Sequence, residues 1–598
     1  MNSSVTRRDF LQISGLSMAG TAVAGALTPA RASAATRHPR SDSPSATRVT
    51  TDATYYNNAL TEGADPHVRY DVPSGYYYAY STVGGGTDAA GRSYHFGIYR
   101  SADLATWEHI PGGALPVDDP KAWGKDWFWA PETYYNPKTG IYFFFYSARE
   151  NSYWAKKDFG YADFEEPCRI GVAVSRSPEG PFYNVSDRPI DYHPYDPDYH
   201  DVNLIMGPEQ MKPPETLEEG RTAPLGVYIP TIDANLYFED GRIHLYYSRN
   251  AYRNWVWDPW LEKYIETSNI LAVELTTDWW HDPEGATMPT CTDTYRGATA
   301  SPGGPDGPRR DGWVQILSYI DDPQEWENSH VNDYEQSGGT KKNRRWEEGS
   351  TTIKRHVGTD EHGRARPLYY LTYSANNWQS PDYGVGYATA TSPLGPWQKF
   401  EGNPILSKDA SLPMYSTGHG SIVTSSDGTE MYYPHHGRPT PTTRPRRLYT
   451  ERLYLNDTSP DENGNPTLVV DQTTSDRPVP SGVAPYAITA SQTAATGDAT
   501  HVRWQVTSAS GAQLALGNPL NRVSASLDRP GTITPDEDGF GATVTLGGKG
   551  AARLALTYQR QQASGNYEDT SNIFEAPSGK QRRAPVSMTI TLAQRHSP

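Results

Sequence analysis

The chain has 598 residues, of which 53 are Gly, 49 Pro and 41 Tyr, and a formal net charge of −17. Charge of that sign disfavours nucleic acid or an anionic membrane as a partner. Two cysteines, Cys168 and Cys291, make no disulfide framework, and sequence leaves open whether they form a single bridge after export.

From the N-terminus, Thr6-Arg7-Arg8-Asp9-Phe10-Leu11 resembles a twin-arginine export motif. A mild apolar stretch from Ile13 to Leu27 follows, then Ala32-Ser33-Ala34 as a small-residue cleavage site. The stretch is too short to span a membrane stably. Residues 1–34 are thus expected to be a signal peptide that sends the protein out of the cell by the twin-arginine route. Residues 35–53, rich in Ser, Thr, Pro and Arg, read as a flexible leader.

Five segments then share one pattern: a strand start with an acidic residue or Gly/His, a turn, and a run of Tyr, Phe and branched residues. They begin near Asp65, Pro131, Asp233, Glu348 and His419. A unit recurring at this scale signals a propeller or array. Alternating apolar strands follow four of them, from Phe96, Ile170, Ile270 and Tyr383, two of which run into a Ser-Pro-x-Gly-Pro type turn. The fold class expected is all-β, a five-bladed β-propeller over residues 54–470. Two long interruptions, 186–229 and 281–346, read as insertions that shape the pocket mouth or elaborate the surface. Beyond Val470 strict alternation at Val502/Trp504/Val506, Ala542/Val544/Leu546, Leu554/Leu556/Tyr558 and Val586/Met588/Ile590/Leu592 predicts a β-sandwich over 471–598. With no visible cluster of exposed aromatics, capping suits it better than sugar binding.

Inner strands of a propeller converge on one pocket, so Asp65, Asp233 and Glu348 would meet there. Hydrolysis of a glycosidic bond needs one carboxyl that donates a proton and another that activates water, if the anomeric centre inverts. A third carboxylate nearby raises the pKa of the acid. An isolated Asp at a strand start is more often a turn or cap residue; equivalent placement in three segments is what favours catalysis.

The ordered motifs Ala64-Asp65-Pro66-His67-Val68, Trp129-Ala130-Pro131-Glu132, Ile232-Asp233, Glu348-Gly349 and Gly418-His419-Gly420-Ser421 resemble those of glycoside hydrolase family 43. The resemblance covers roughly residues 55–460 and implies inverting hydrolysis of arabinose- or xylose-containing glycans. It makes Asp65 the general base, Asp233 the pKa modulator and orienting group, and Glu348 the general acid. Glu347 is adjacent, but strand alternation lets only one of the two point inward, and the family's Glu-Gly pair favours Glu348. Ala234 and Ser350 stand where the family commonly has Pro, which leaves the reacting groups intact but puts the substrate in doubt.

Trp129 presents either a face for a sugar ring or a core side chain between blades. Glu132 reads as a structural hydrogen-bonder. The resemblance sets His419 near the pocket floor, against substrate or a metal ion, often calcium. Calcium prefers oxygen ligands, so one His is weak support. Arg438 either binds substrate hydroxyls, pairs with a carboxylate or is solvated. No cofactor is required for the chemistry, and a structural calcium is compatible with it. The partner expected is an oligo- or polysaccharide, the protein a monomer. The long insertions favour a closed pocket and exo action, as an α-L-arabinofuranosidase or β-xylosidase, over an endo-arabinanase. A retaining fructan hydrolase would carry an Asn-Asp-Pro-Asn type motif where Ala64-Asp65-Pro66-His67 stands. A carbohydrate-binding propeller without activity is the alternative from another class.

Overall fold

The computed structural model describes most of residues 62–592. Residues 1–61, 194–203, 297–311, 472–485, 509–520, 561–566, 569–585 and 593–598, with several shorter stretches, lie outside the description. The expected signal peptide and leader therefore fall outside the described residues. What is described is all-β with a few short helices.

Five antiparallel sheets follow one another along the chain, and each of the five repeated segments supplies the first strands of one sheet. The first runs through His67–Asp71, Tyr76–Ser81, Gly97–Ser101 and Glu108–His109. The second has Gly124–Asn136, Ile141–Glu150, Cys168–Ser175 and Tyr183–Asn184. In the third come Thr231–Glu239, Arg242–Arg249, Asn269–Leu275 and Val314–Leu317. The fourth contains Glu347–Thr359, Ala365–Ala375, Gly384–Ala390 and Gln398–Lys399, and Tyr567–Glu568 pairs alongside Glu347–Thr359. The fifth holds Tyr415–Gly418, Met431–Arg438, Arg447–Asn456 and Thr467–Asp471.

The aromatic runs make sense because both faces of each second strand are buried. Along Ile141–Glu150, Phe143 and Phe145 pack with Leu236, Phe238 and Leu245 of the third sheet. Tyr142, Phe144 and Tyr146 pack with Tyr78, Tyr80 and Ile98 of the first. Alternation is thus between two apolar faces, and each buried Phe contributes about 1.5–3 kcal/mol. The same arrangement joins the third sheet to the fourth through Tyr237, Tyr246, Leu371 and Tyr373. Tyr370, Tyr387, Tyr433 and Leu453 join the fourth to the fifth. The fifth packs back on the first, with Tyr432 and Leu448 against Val68 and Tyr77. Gly63 N–H donates to Arg446 O at 2.7 Å across that last junction, and Ser421 Oγ accepts the Val68 N–H at 2.9 Å.

The two interruptions differ from expectation in one respect. Val314–Leu317, inside 281–346, is the fourth strand of the third sheet. Four residues are too few to reveal a period beside so much Gly, Pro and charge. Leu204–Ile205 and Arg344–Arg345, from the two interruptions, pair with the hairpin Asn254–Asp258/Lys263–Thr267 in an additional sheet. Buried Glu266 ties that sheet together, accepting from Arg344 Nε at 2.6 Å and Lys342 Nζ at 2.9 Å.

Beyond Asp471 two further sheets are described, one with Ala499–Ser508 and Gly541–Leu546, the other with Ala552–Arg560 and Val586–Leu592. A hydrophobic cluster draws Val502, Trp504, Val506 and Val544 from the first and Leu554, Leu556, Tyr558 and Leu592 from the second. Cys168 and Cys291 are both free thiols. No helix among the described residues is long and apolar enough to cross a membrane.

Candidate active site

One backbone device recurs in all five sheets. Within or next to each first strand a residue adopts left-handed φ: Asp65 (48°) two residues before His67–Asp71, Ala130 (46°), Asp233 (60°) and Gly349 (61°) inside their strands, and His419 (47°) just after Tyr415–Gly418. A non-glycine residue in this region costs roughly 1–2 kcal/mol. It persists because a side chain of the preceding sheet holds its N–H. Ala130 N–H donates to Thr82 Oγ1 at 2.8 Å, Asp233 N–H to Ser147 Oγ at 3.0 Å and Gly349 N–H to Ser248 Oγ at 3.3 Å. His419 N–H donates to Ser374 Oγ at 2.8 Å. At the fifth junction an imidazole replaces the hydroxyl, and Asp65 N–H donates to His436 Nδ1 at 3.3 Å. Register shifts between Trp129 and Glu132, Ile232 and Asn235, and Glu348 and Thr351 mark these kinks as bulges. Bulges re-aim side chains, and here they bring Asp65, Asp233 and Glu348 into one cluster whose charges act on one another.

The three carboxyls are 9 %, 6 % and 7 % exposed, so the cluster is buried yet reachable. Their surroundings separate them. Asp65 Oδ1 accepts from Arg446 Nη1 at 2.8 Å and Oδ2 from Thr82 Oγ1 at 2.7 Å. His436 Nδ1 lies 3.2 Å and His419 Nδ1 3.6 Å from Oδ1. Burial raises the Asp65 pKa, but Arg446 and the two imidazoles outweigh it and hold the carboxyl well below the usual range. Among the described residues Glu348 receives one hydrogen bond, from the Tyr383 hydroxyl to Oε1 at 2.9 Å. Burial pushes it up to about 7; that hydrogen bond opposes the rise, and the charges of Asp65 and Glu166 add to it. Asp233 is raised by burial and by its two carboxylate neighbours, against hydrogen bonds from Ser248 Oγ and Gly349 N–H, both at 3.2 Å to Oδ2.

Glu347 points the other way. It binds buried Lys399 Nζ at 2.7 Å, and Lys399 also bridges to Glu327 at 2.9 Å. Gly349 is required twice over, by its φ and because a Cβ there would meet the His419 ring at 2.9 Å.

Trp129 lies one residue before Ala130, whose anchor Thr82 also binds Asp65. It is half-buried and stacks on Trp127 at 5.2 Å, while Arg149 covers Trp127 at 4.0 Å. His419 faces Asp65, and burial lowers its pKa, so the ring stays neutral. Among the described residues no group of three or more His, Cys, Asp or Glu is placed to hold a metal ion. A single imidazole is a poor match for an ion that takes oxygen ligands. Arg438 is buried, and its Nη2 donates to the carbonyls of Ser380 at 2.9 Å and Gln379 at 3.3 Å. Glu132 accepts from the Tyr134 hydroxyl and from Asn235 Nδ2 at 3.2 Å, and burial takes its pKa to about 8.

Three site residues escaped the sequence reading: Arg446, Tyr383 and His436. Arg446 sits among Arg444, Pro445 and Arg447 with nothing local to single it out. His436 does carry a signal, since it stands where Ser374 and Ser248 end the aromatic runs of their sheets. Trp378 was also missed; Arg446 lies 4.4 Å over its ring.

A family model for glycosyl hydrolases family 43 matches residues 332–466, the stretch holding Glu348, Tyr383, His419, His436 and Arg446. A beta-D-galactofuranosidase, xynD of Aspergillus niger (strain ATCC MYA-4892 / CBS 513.88 / FGSC A1513), is 36% identical over 92 residues, covering 15% of this chain. The match spans about a quarter (26%) of that relative's length. Among solved structures, a thermostable family-43 glycoside hydrolase is 27% identical, with 71% of this chain and 99% of that one covered and a TM-score of 0.45. An endo-1,4-beta-xylanase from Bacteroides thetaiotaomicron VPI-5482 is 23% identical over 70% of this chain and 96% of its own, with a TM-score of 0.43. By the family match, joined to the ordered motifs, this chain is a relative of the glycosyl hydrolases of family 43.

Proposed function

We propose that the protein is an exported, inverting glycoside hydrolase that removes arabinose or xylose units from plant cell-wall glycans. The observation that carries this is the split within one carboxyl cluster: Asp65 is held ionised while Glu348 is held near pH 7. Two carboxyls in opposite protonation states are what inverting hydrolysis needs. Asp65 takes a proton from water as its oxygen attacks the anomeric carbon. Glu348 gives its proton to the departing glycosidic oxygen on the opposite side. The bond to that oxygen breaks and the released sugar has inverted configuration. Asp233, its own carboxyl raised by burial and by the charges of Glu348 and Asp65, sits in the same cluster and orients the sugar rather than acting on Glu348 through its charge. Trp129 supplies a stacking face and His419 stands beside Asp65, whereas Arg438, expected from the sequence to bind substrate, is fully buried on the carbonyls of Ser380 and Gln379 and acts structurally.

The five sheets are read as the blades of a propeller over 54–470, and the two later sheets as a β-sandwich over 471–598. Closure of the packing from fifth sheet to first supports the former, and the core shared by two sheets the latter. Export rests on Arg7-Arg8 and the segments after them. Exo action rests on the long interruptions 186–229 and 281–346 read from the sequence.

The test is incubation with para-nitrophenyl α-L-arabinofuranoside, β-D-xyloside and β-D-galactofuranoside, with linear arabinan and with arabinoxylan. The galactofuranoside is included because of the Aspergillus relative. Expected is monosaccharide release with inversion by proton NMR, reduced at least about 10³-fold in Glu348→Gln and Asp65→Asn on polymer. Oligomers from arabinan would mean endo action. No release from any substrate, or release untouched in Glu348→Gln, would refute the reading.

A further inference from the structure

We propose that Tyr383 is a positioning residue that sets the protonation of Glu348 and, through His436, links the acid to the seat of Asp65. This inference rests on the roles just given to the two carboxyls. Tyr383 opens the third strand region of the fourth sheet, and its side chain is buried. Its hydroxyl reaches Glu348 Oε1 at 2.9 Å. Its ring lies 5.5 Å from the His436 ring at an interplanar angle of 11°, a stacked pair. His436 in turn takes the Asp65 N–H and lies 3.2 Å from Asp65 Oδ1. One aromatic side chain therefore touches the acid with its polar end and braces the base's anchor with its face.

The seat is built for that ring. A Cβ at Gly418 would meet the Tyr383 ring at 2.4 Å, so glycine there is a condition of the stack. Thr417 Oγ1 donates to Tyr383 O at 3.3 Å, and Tyr383 N–H donates to Ser380 O at 3.3 Å. The use of His436 where four other junctions use Ser or Thr fits the same purpose. A hydroxyl would hold Asp65 N–H equally well but would offer Tyr383 nothing to stack on.

The groups that face Glu348 are Asp65, Asp233, Glu166, Arg446 and Tyr383. His419 and His436 adjoin Asp65 and are held neutral by burial. Tyr383 is the only one of the five that Glu348 meets with a described side-chain hydrogen bond. Its O–H donates to the ionised carboxylate, so it favours ionisation and restrains the rise that burial causes.

The decisive experiment compares wild type with Tyr383→Phe, which keeps the ring and its stack but loses the hydroxyl. The basic limb of kcat/KM against pH should move up by about one pH unit, with kcat falling about ten-fold and KM changing less than about two-fold. Carbon-13 NMR of the glutamate-labelled full chain, with Glu348→Gln to assign the signal, should show the same rise in the Glu348 midpoint. His436→Ser keeps an anchor for Asp65 and removes the stacking partner. Combined with Tyr383→Phe it should show an effect on kcat smaller than the product of the two alone. An unmoved basic limb and an unmoved Glu348 midpoint in Tyr383→Phe would overturn the proposal. If the wild-type protein hydrolyses nothing, the catalytic reading fails, while the NMR midpoint still decides whether Tyr383 controls Glu348.

Discussion

At the scale of single residues, the cluster works by contrast. Asp65 and Glu348 lie in one buried cluster where the charge of Asp65 acts on Glu348, yet they titrate far apart because their neighbours differ in kind. Arg446 and two imidazoles surround Asp65, and one phenol meets Glu348. The consequence for rate is signed. In the proposed mechanism Glu348 must hold its proton to act as acid, so kcat/KM is expected to fall as pH rises through about 7. Asp65 must be ionised, so the acidic limb lies below the ordinary Asp range. A pH–rate profile on a glycoside with an alkoxide leaving group checks both; a basic limb near 4.5 would contradict the burial argument. Replacing Arg446 with Met should shift the acidic limb upward, since its charge is the largest influence holding Asp65 down.

At the scale of elements, the left-handed kinks and their anchors do the placing. A strand cannot present Glu348 to the centre and Glu347 to Lys399 while also passing the His419 ring unless Gly349 turns it. Behind that turn, Lys399 gathers Glu347 and Glu327 and so ties Gln398–Lys399 and the Glu325–Glu327 turn to the strand that carries the acid. Lys399→Met removes the lysine that both buried carboxylates bind, a loss of about 3–5 kcal/mol near neutral pH. The pH sense follows. In the variant Glu347, which burial already raises to about 7, loses the lysine that opposes the rise, so the folded state keeps a proton that the unfolded chain releases. The deficit grows as pH rises through that interval and shrinks on acidification. Thermal unfolding at pH 5 and 8 checks it, and an equal deficit at both would show that packing rather than charge is responsible.

At the scale of the whole molecule, the order of packing runs through five sheets and returns to the first, and the residues beyond Asp471 have a hydrophobic cluster of their own. A chain ending at Asp471 is therefore expected to keep kcat/KM on aryl glycosides within about two-fold of the full chain. Loss of activity with retained circular dichroism would instead assign the later sheets a part in the site. The pairing of Tyr567–Glu568 beside Lys354 and Arg355 is the contact such a truncation removes from the fourth sheet.

The repeats, the strand positions and the three carboxyls were legible because they depend on local pattern. Alternation of apolar residues over five to ten positions, a Gly or Asp at a kink and an aromatic run leave a mark within a short window. The reading missed what short windows cannot hold. Val314–Leu317 is too brief to show a period, and Arg446 stands 381 residues from the aspartate it pairs with. Tyr383 looked like one more strand aromatic until the fold set its hydroxyl on Glu348 and its ring on His436. Local chemistry alone decided which residues can react and which form strands. Only the tertiary structure decided their protonation, because a pKa is set by burial and by charges that the chain brings together from distant sheets.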